Sequence, residues 1–258
     1  MKNVLKKLLK RFLKSRSLLS LRYLETSELI NDIAKIIDAH SYLEIGVETG
    51  LTFNQVKIFQ KTAVDPRFLF DYQRDLRTNL SFHEITSDVF FKKLAEKNEI
   101  KIKLFDLVFI DGLHVFEQVL KDFINSVNHI NPGGVIVIDD TVPIDEFSAL
   151  PSQKDCYRLR IESGRHNDGS WHGDVYKLIY VLSKNEKHKI HIATATDLSN
   201  PKTVVWMEDG DWSRFQIESR LVDKTFDELF ENGTPKSFMP MNKKEFLKFF
   251  KMNSTAIN

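Results

Sequence analysis

Two unbroken apolar runs, Leu107-Val108-Phe109-Ile110 and Val135-Ile136-Val137-Ile138, dominate the hydrophobic pattern, and each runs directly into aspartate. Apolar runs without alternation are expected of central parallel strands that are covered on both faces. Ser41 to Ile45 is a shorter apolar segment before Gly46, and Thr62-Ala63-Val64-Asp65-Pro66 is a strand stopped by proline. Phe82 to Thr86 reads as a weaker third strand after them. Helical spacing predicts helices over Ser27 to Ala39, Phe53 to Lys61, from after Ser87-Asp88 to about Asn98, and Phe116 to His129. The last stops before Asn131-Pro132-Gly133-Gly134, which reads as a helix breaker with a tight turn. Strands alternating with helices predict an α/β fold, a doubly wound and mostly parallel sheet in the order 3-2-1-4-5.

After Thr141 the pattern loosens, and residues 143–173 read as a long loop or lid. A helix over Val175 to Ser183 precedes two β-like segments, Lys189 to Thr194 and Lys202 to Met207, expected to close the sheet as an antiparallel pair. A tail from Asp211 holds one clear helical run, Lys243 to Lys251. At the start, Val4, Leu5, Leu8, Leu9, Phe12 and Leu13 recur at helical spacing among lysines, so residues 1–14 read as a basic amphipathic helix. Such a helix packs on its own domain or a partner, or makes peripheral contact with an anionic membrane; it lacks the uninterrupted apolar run of a membrane span and the small-residue cleavage site of a signal peptide. The expected organisation is a basic N-terminal helix over 1–26, one α/β domain over 27–210 and a C-terminal extension over 211–258.

Composition narrows this further. A chain of 258 residues that is 42% hydrophobic is long enough for one large buried core. The formal charge of +1 hides a start with no acidic residue before Glu25. Cys156 is the single cysteine, which rules out an intramolecular disulfide or a thiolate zinc cluster and fits a reducing compartment, with cytoplasm expected. No basic stripe accompanies the site described next, which argues against nucleic acid as partner.

In Glu44-Ile45-Gly46-Val47-Glu48-Thr49-Gly50 a strand enters a turn with two glycines, where backbone can approach a ligand closely. A dinucleotide fold usually shows G-x-G-x-x-G here, whereas this chain has E-x-G-x-x-x-G. That pattern resembles motif I of the class I S-adenosylmethionine-dependent methyltransferases, a Rossmann-like fold. The resemblance implies that Glu44, Gly46 and Gly50 hold the methionine end of the cofactor. It further implies that Asp65 binds the ribose hydroxyls and that Ser87 and Asp88 lie beside adenine. A solvated Glu44 and a turn-forming Asp65 are the structural alternative.

In the order 3-2-1-4-5, strands four and five are neighbours roughly 4.8 Å apart, so Asp111, Asp139 and Asp140 meet at one sheet edge, where the glycine turn also opens. Their repulsion is relieved by raised pKa values, by a basic partner or by a divalent cation; all-oxygen ligation by Asp111, Asp139 and Asp140 favours magnesium. Asp140 as a loop cap is the competing reading. His114, three residues past Asp111, is a candidate proton acceptor or a helix cap. The segments Phe109-Ile110-Asp111-Gly112-Leu113-His114, Pro132-Gly133-Gly134 and Val137-Ile138-Asp139-Asp140-Thr141 resemble metal-dependent O-methyltransferases, and more closely bacterial domains of sugar, polysaccharide and antibiotic tailoring. Asp139-Asp140 stands where many catechol-type relatives have Asp-Asn. Trp171-His172-Gly173-Asp174-Val175-Tyr176-Lys177 resembles a segment of the same relatives, offering Trp171, His172 and Lys177 toward substrate, with Asp174 as a cap for the following helix. The resemblance implies metal-assisted O-methylation of a hydroxylated small molecule, sugar or glycan precursor, with Asp111 and His114 at the reacting centre. A non-catalytic cofactor-binding subunit anchored by the basic helix is the alternative, and a nicotinamide oxidoreductase is disfavoured by the glycine spacing.

Overall fold

A computed structural model describes residues 21–75, 77–96, 103–165, 169–185, 189–217 and 224–254. The amphipathic helix expected over residues 1–14 lies outside them. The helix expected from Ser27 reaches further upstream, with residues 21–37 helical (α1). Eight strands follow in one sheet: β1 Ser41–Ile45, β2 Gln60–Asp65, β3 Leu80–Glu84, β4 Phe105–Ile110, β5 Ile130–Ile138, β6 Ile190–Ala195, β7 Lys202–Met207 and β8 Pro240–Met241. Their order is β3-β2-β1-β4-β5-β7-β6-β8. The first five are parallel, and β7 runs antiparallel between β5 and β6 as expected.

Alternate residues of each central strand serve opposite faces, and both faces are dry. Val108, Ile110, Ile136 and Ile138 pack with α3 (Ser87–Ala95), α4 (Phe116–Val127) and α6 (Tyr176–Ser183) through Phe90, Phe123 and Leu178. Leu107, Phe109, Val135 and Val137 face α1, α2 (Leu51–Gln55) and α8 (Lys243–Asn253) through Ile30, Phe53 and Phe246. This double cover is why the apolar runs carry no polar alternation.

Local chemistry departs from the expected pattern at several points. Helix α2 ends at Gln55 rather than Lys61, because the buried Lys61 ammonium donates to the carbonyls of Phe53 and Val56 and Gln60 already pairs with Ser41. Asn131-Pro132-Gly133-Gly134 is no separate turn; it lies inside β5, where the pairing with β4 shifts register. A Cβ on Gly134 would fall 3.0 Å from the Asp106 carbonyl, and Asn131 Nδ2 donates to Asp106 Oδ1 at 2.6 Å. The expected loop over 143–173 contains α5 (Gln153–Glu162). Buried Arg160 on α5 donates to the Ser170 carbonyl at 2.6 Å and to Asp145 Oδ1 at 2.9 Å, drawing both flanks of the segment together.

The C-terminal tail joins the same sheet. Strand β8 pairs with β6, and α8 sets Phe250 edge-on to Trp206 with centroids 4.9 Å apart. A short helix α7 (Phe226–Phe230) precedes it, and no helix among the described residues is long and apolar enough to cross a membrane. Truncating the fully buried Phe246 removes one of the two buried rings that dock α8. The variant Phe246→Ala should lose about 3–5 kcal/mol in urea unfolding, whereas a loss below about 1 kcal/mol would show that α8 is dispensable.

Candidate active site

The turn after β1 is built around close backbone contact. Gly46 has φ +84°, and a Cβ there would fall 1.9 Å from the carbonyl oxygen of Asp111. Glycine is therefore required where the turn crosses the end of β4. Asp65, at the end of β2, accepts from the Glu48 amide at 2.9 Å and from the Arg67 amide at 2.7 Å. Its carboxylate thus holds the turn in shape while lining the cavity beside it. Beneath the turn, Tyr42 donates to Glu44 Oε2 at 2.6 Å, and burial pushes the Glu44 carboxyl up to about 8.

At the ends of β4 and β5 the three aspartates converge as the strand order requires, with basic partners already among them. Asp139 Oδ1 accepts from Lys202 Nζ at 2.7 Å, Asn200 Nδ2 at 2.6 Å and the Asp140 amide at 2.6 Å. Its Oδ2 accepts from Arg22 Nη2 at 3.0 Å. Asp140, held at φ +57°, has Oδ2 at 3.1 Å from His114 Nε2 and Oδ1 at 2.9 Å from Asn200 Nδ2. Asp111 Oδ1 lies 3.7 Å from the same His114 nitrogen. Among the described residues, Asp111, His114 and Asp140 bring one potential ligand atom each to within 4.8 Å of one another. Asp139, expected as a ligand, stands apart, engaged by Lys202 and Arg22; His114 takes its place in the group.

The charges answer this geometry. Burial and the neighbouring Asp139 push Asp111 up. Asp140 goes the other way: although burial opposes it, His114 and Arg22 hold its carboxyl well below the usual range. Burial alone would lower His114, but Asp140 and Asp111 carry it up to about 10.

Residues 171–174 form the wall opposite the turn. His114 Nδ1 sits 3.1 Å from the Trp171 carbonyl, which can only accept, so this nitrogen carries hydrogen. The Trp171 ring stacks on His114 at 5.0 Å, and its Nε1 donates to the Leu150 carbonyl at 2.7 Å. Gly173 has φ +62°, and a Cβ there would fall 1.6 Å from the His114 carbonyl oxygen. Buried His172 has Nε2 3.8 Å from Asp140 Oδ1. Asp174 does not cap α6: it accepts from the Phe116 amide at 2.7 Å and so caps α4, while Oδ2 takes Lys177 Nζ at 2.8 Å. Trp171 and His172 line the cavity; Lys177 is not among its lining residues.

One cavity of about 1100 Å³ joins these parts, running from Ser87 and Asp88 past Glu44, Gly46 and Asp65 to Asp111, His114, Trp171 and Asn200. The sequence reading missed Arg22, Gln118, Asp122, Asn200 and Lys202. Gln118 Nε2 ties Ser87 Oγ, Asp88 Oδ1 and Asp122 Oδ1 together at 3.3, 3.2 and 3.1 Å. Helical spacing of Gln118 and Asp122 places them on one side of α4, a signal present in the sequence but indistinguishable there from a solvated face.

Burial pushes the Asp122 carboxyl up to about 6, against hydrogen bonds from Ser87 and Gln118. A carboxyl raised on folding contributes stability below its unfolded value and loses it as pH rises through the folded one. Stability of Asp122→Asn relative to the parent should therefore rise between pH 4 and pH 7, by about 1–3 kcal/mol. Denaturant unfolding at the two pH values measures this, and a pH-independent difference would contradict it.

Residues 43–141 match the family described as "Methyltransferase domain". An uncharacterized protein of Acanthamoeba polyphaga mimivirus is 30% identical over 115 residues, covering 40% of this chain and 52% of the relative. The chain thus spans about half the length of the curated relative it matches. The O-methyltransferase TomG from Streptomyces achromogenes, solved with S-adenosylmethionine, is 14% identical over 70% of this chain and 78% of its own, with a TM-score of 0.46. An O-methyltransferase from Bacillus cereus, solved with S-adenosylhomocysteine, is 15% identical over 78% and 90% of the two chains, with a TM-score of 0.47. The matched segment runs from β1 through Asp139-Asp140 and so contains the glycine turn, Asp65 and all three convergent aspartates. Residues 43–141 thus resemble a methyltransferase domain, carried on a sheet whose first five strands run in the Rossmann-like order 3-2-1-4-5.

Proposed function

We propose that this chain transfers the methyl group of S-adenosylmethionine to a hydroxyl oxygen of a small molecule, with a divalent cation held by Asp111, His114 and Asp140. The carrying observation is the single cavity that sets the glycine turn against this group at one edge of the sheet. When bound, S-adenosylmethionine supplies a methyl group activated by its sulfonium. Gly46 and Gly50 let backbone close on the methionine end, with Glu44 beneath. Asp65 faces the ribose from its position clamping the turn. Ser87 and Asp88, joined to Gln118 and Asp122, flank the adenine end.

Two carboxylate oxygens and one imidazole nitrogen within 4.8 Å fit a divalent cation. The fit extends to the tautomer, since ligating histidines usually donate their other N–H to a backbone carbonyl or carboxylate, as His114 Nδ1 does to Trp171. Including a nitrogen widens the choice from magnesium to manganese and softer ions. Bound there, the ion would lower the pKa of an acceptor hydroxyl and hold its oxygen. In this reading His114 would serve as a ligand through Nε2, giving up that nitrogen's proton and its contact with Asp140 while Nδ1 stays on the Trp171 carbonyl, and the acceptor's proton would leave to solvent through the cavity. Lys202 and Arg22 neutralise Asp139, whose Oδ1 in turn accepts the Asp140 amide and holds that residue in its left-handed conformation. Trp171 shields the group from water on the lid side. Ser170, His172 and Asn200 give the acceptor end a polar lining that supports a polyhydroxylated acceptor, a sugar or glycan precursor.

Calorimetric titration with S-adenosylmethionine, S-adenosylhomocysteine and NAD tests the cofactor. The first two should bind and NAD should not; NAD binding without the others would overturn the reading. Against a panel of sugars and other polyols, Asp111→Ala with Asp140→Ala should abolish methyl transfer while S-adenosylhomocysteine still binds. Full transfer in excess chelator would remove the cation from the account.

A further inference from the structure

Arg22 lies outside the segment that matches the methyltransferase family, yet it reaches the centre of the carboxylate group. Its Nη2 is 3.0 Å from Asp139 Oδ2 and 3.3 and 3.4 Å from the two oxygens of Asp140. His114 Nε2 approaches the same Asp140 Oδ2 at 3.1 Å. Resting on the cation site proposed above, we infer that Arg22 is a built-in competitor for that cation, its guanidinium and the metal drawing on the same Asp140 carboxylate.

The geometry makes the two mutually unfavourable. A metal–oxygen bond of about 2.2 Å on Asp140 Oδ2 would leave the ion no more than about 5.6 Å from the guanidinium nitrogen that touches that oxygen. Like charges so close in a part-buried site repel strongly. The backbone of Arg22 is fixed, since Leu29, Ile30 and Ile33 of α1 are fully buried, Thr26 Oγ1 donates to the Arg22 carbonyl at 2.8 Å, and Glu25 accepts from the Ser199 amide at 2.7 Å. Its side chain, 30% exposed, lines the cavity, so open space lies beside it without unpacking the helix. Lys202, with no exposed surface, stays on Asp139 Oδ1, so that carboxylate remains paired when Arg22 leaves. Arg22 thus stands in for the ion in its absence and sets how readily the site takes one.

Binding of Mn²⁺ alone to the full chain, followed by calorimetry and by loss of the free-ion EPR signal, tests this on wild type, Arg22→Gln and Arg22→Lys. Removing the charge should tighten Mn²⁺ binding about tenfold or more, while lysine, which keeps the charge, should stay near wild type. A role in folding alone predicts no gain in affinity. Should Arg22→Gln show no cooperative unfolding transition, Arg22→Met retains the apolar stem and replaces it. Equal or weaker Mn²⁺ binding in the neutral variant, with wild type still binding, overturns the competition and leaves the cation site standing. Absence of Mn²⁺ binding in wild type and in every folded variant overturns the cation site and the competition together.

Discussion

Adjacent parallel strands β4 and β5 end at the same level of the sheet, and each ends in aspartate, so three carboxylates are delivered to one buried edge. Isolated carboxylates in such a place are very unfavourable, and the surroundings are arranged to offset them. Lys202 is sunk without solvent exposure against Asp139. Arg22 spans Asp139 and Asp140 from a helix that precedes the sheet, and His114 closes the group from the loop after β4. Asp140 accepts a left-handed backbone to take its position, an unusual conformation for a residue with a side chain.

The site is assembled from two sources. The segment matching the methyltransferase family supplies the glycine turn, Asp65 and the carboxylates, which form the cofactor side and the reacting centre in the proposed reaction. The opposite side comes from flanking sequence: Arg22 from α1, Trp171 and His172 from the segment before α6, and Asn200 from the approach to β7. Arg160 stabilises that side by tying the two flanks of α5 together through Ser170 and Asp145.

How much of this was legible in the sequence follows from the range of each interaction. The central strands, their order and the meeting of the aspartates could be read because burial on both faces imposes unbroken apolar runs and parallel crossovers fix neighbours. Gly46 and Asp65 were legible through their spacing. Arg22 was not, since its partners are 117 and 118 positions away and its local context is an ordinary amphipathic helix. Lys202 read as a polar strand residue, although its ammonium is a buried counter-ion. Asp174 was assigned to the helix beside it, whereas tertiary packing gives it to α4, 58 residues upstream. Helix α5 escaped notice because its buried side chains are Cys156 and Arg160 rather than an apolar stripe.

The central claim is that the carboxylate–imidazole group lies against the methyl end of the cofactor, with a cation between protein and acceptor. S-adenosylmethionine labelled with ¹³C in its methyl group tests this by NMR on the complex with the full chain. Adding Mn²⁺ should broaden the bound methyl resonance beyond detection through paramagnetic relaxation, and Asp140→Asn should restore it. A methyl resonance that stays sharp with Mn²⁺ bound to the protein would place the ion elsewhere and contradict the account.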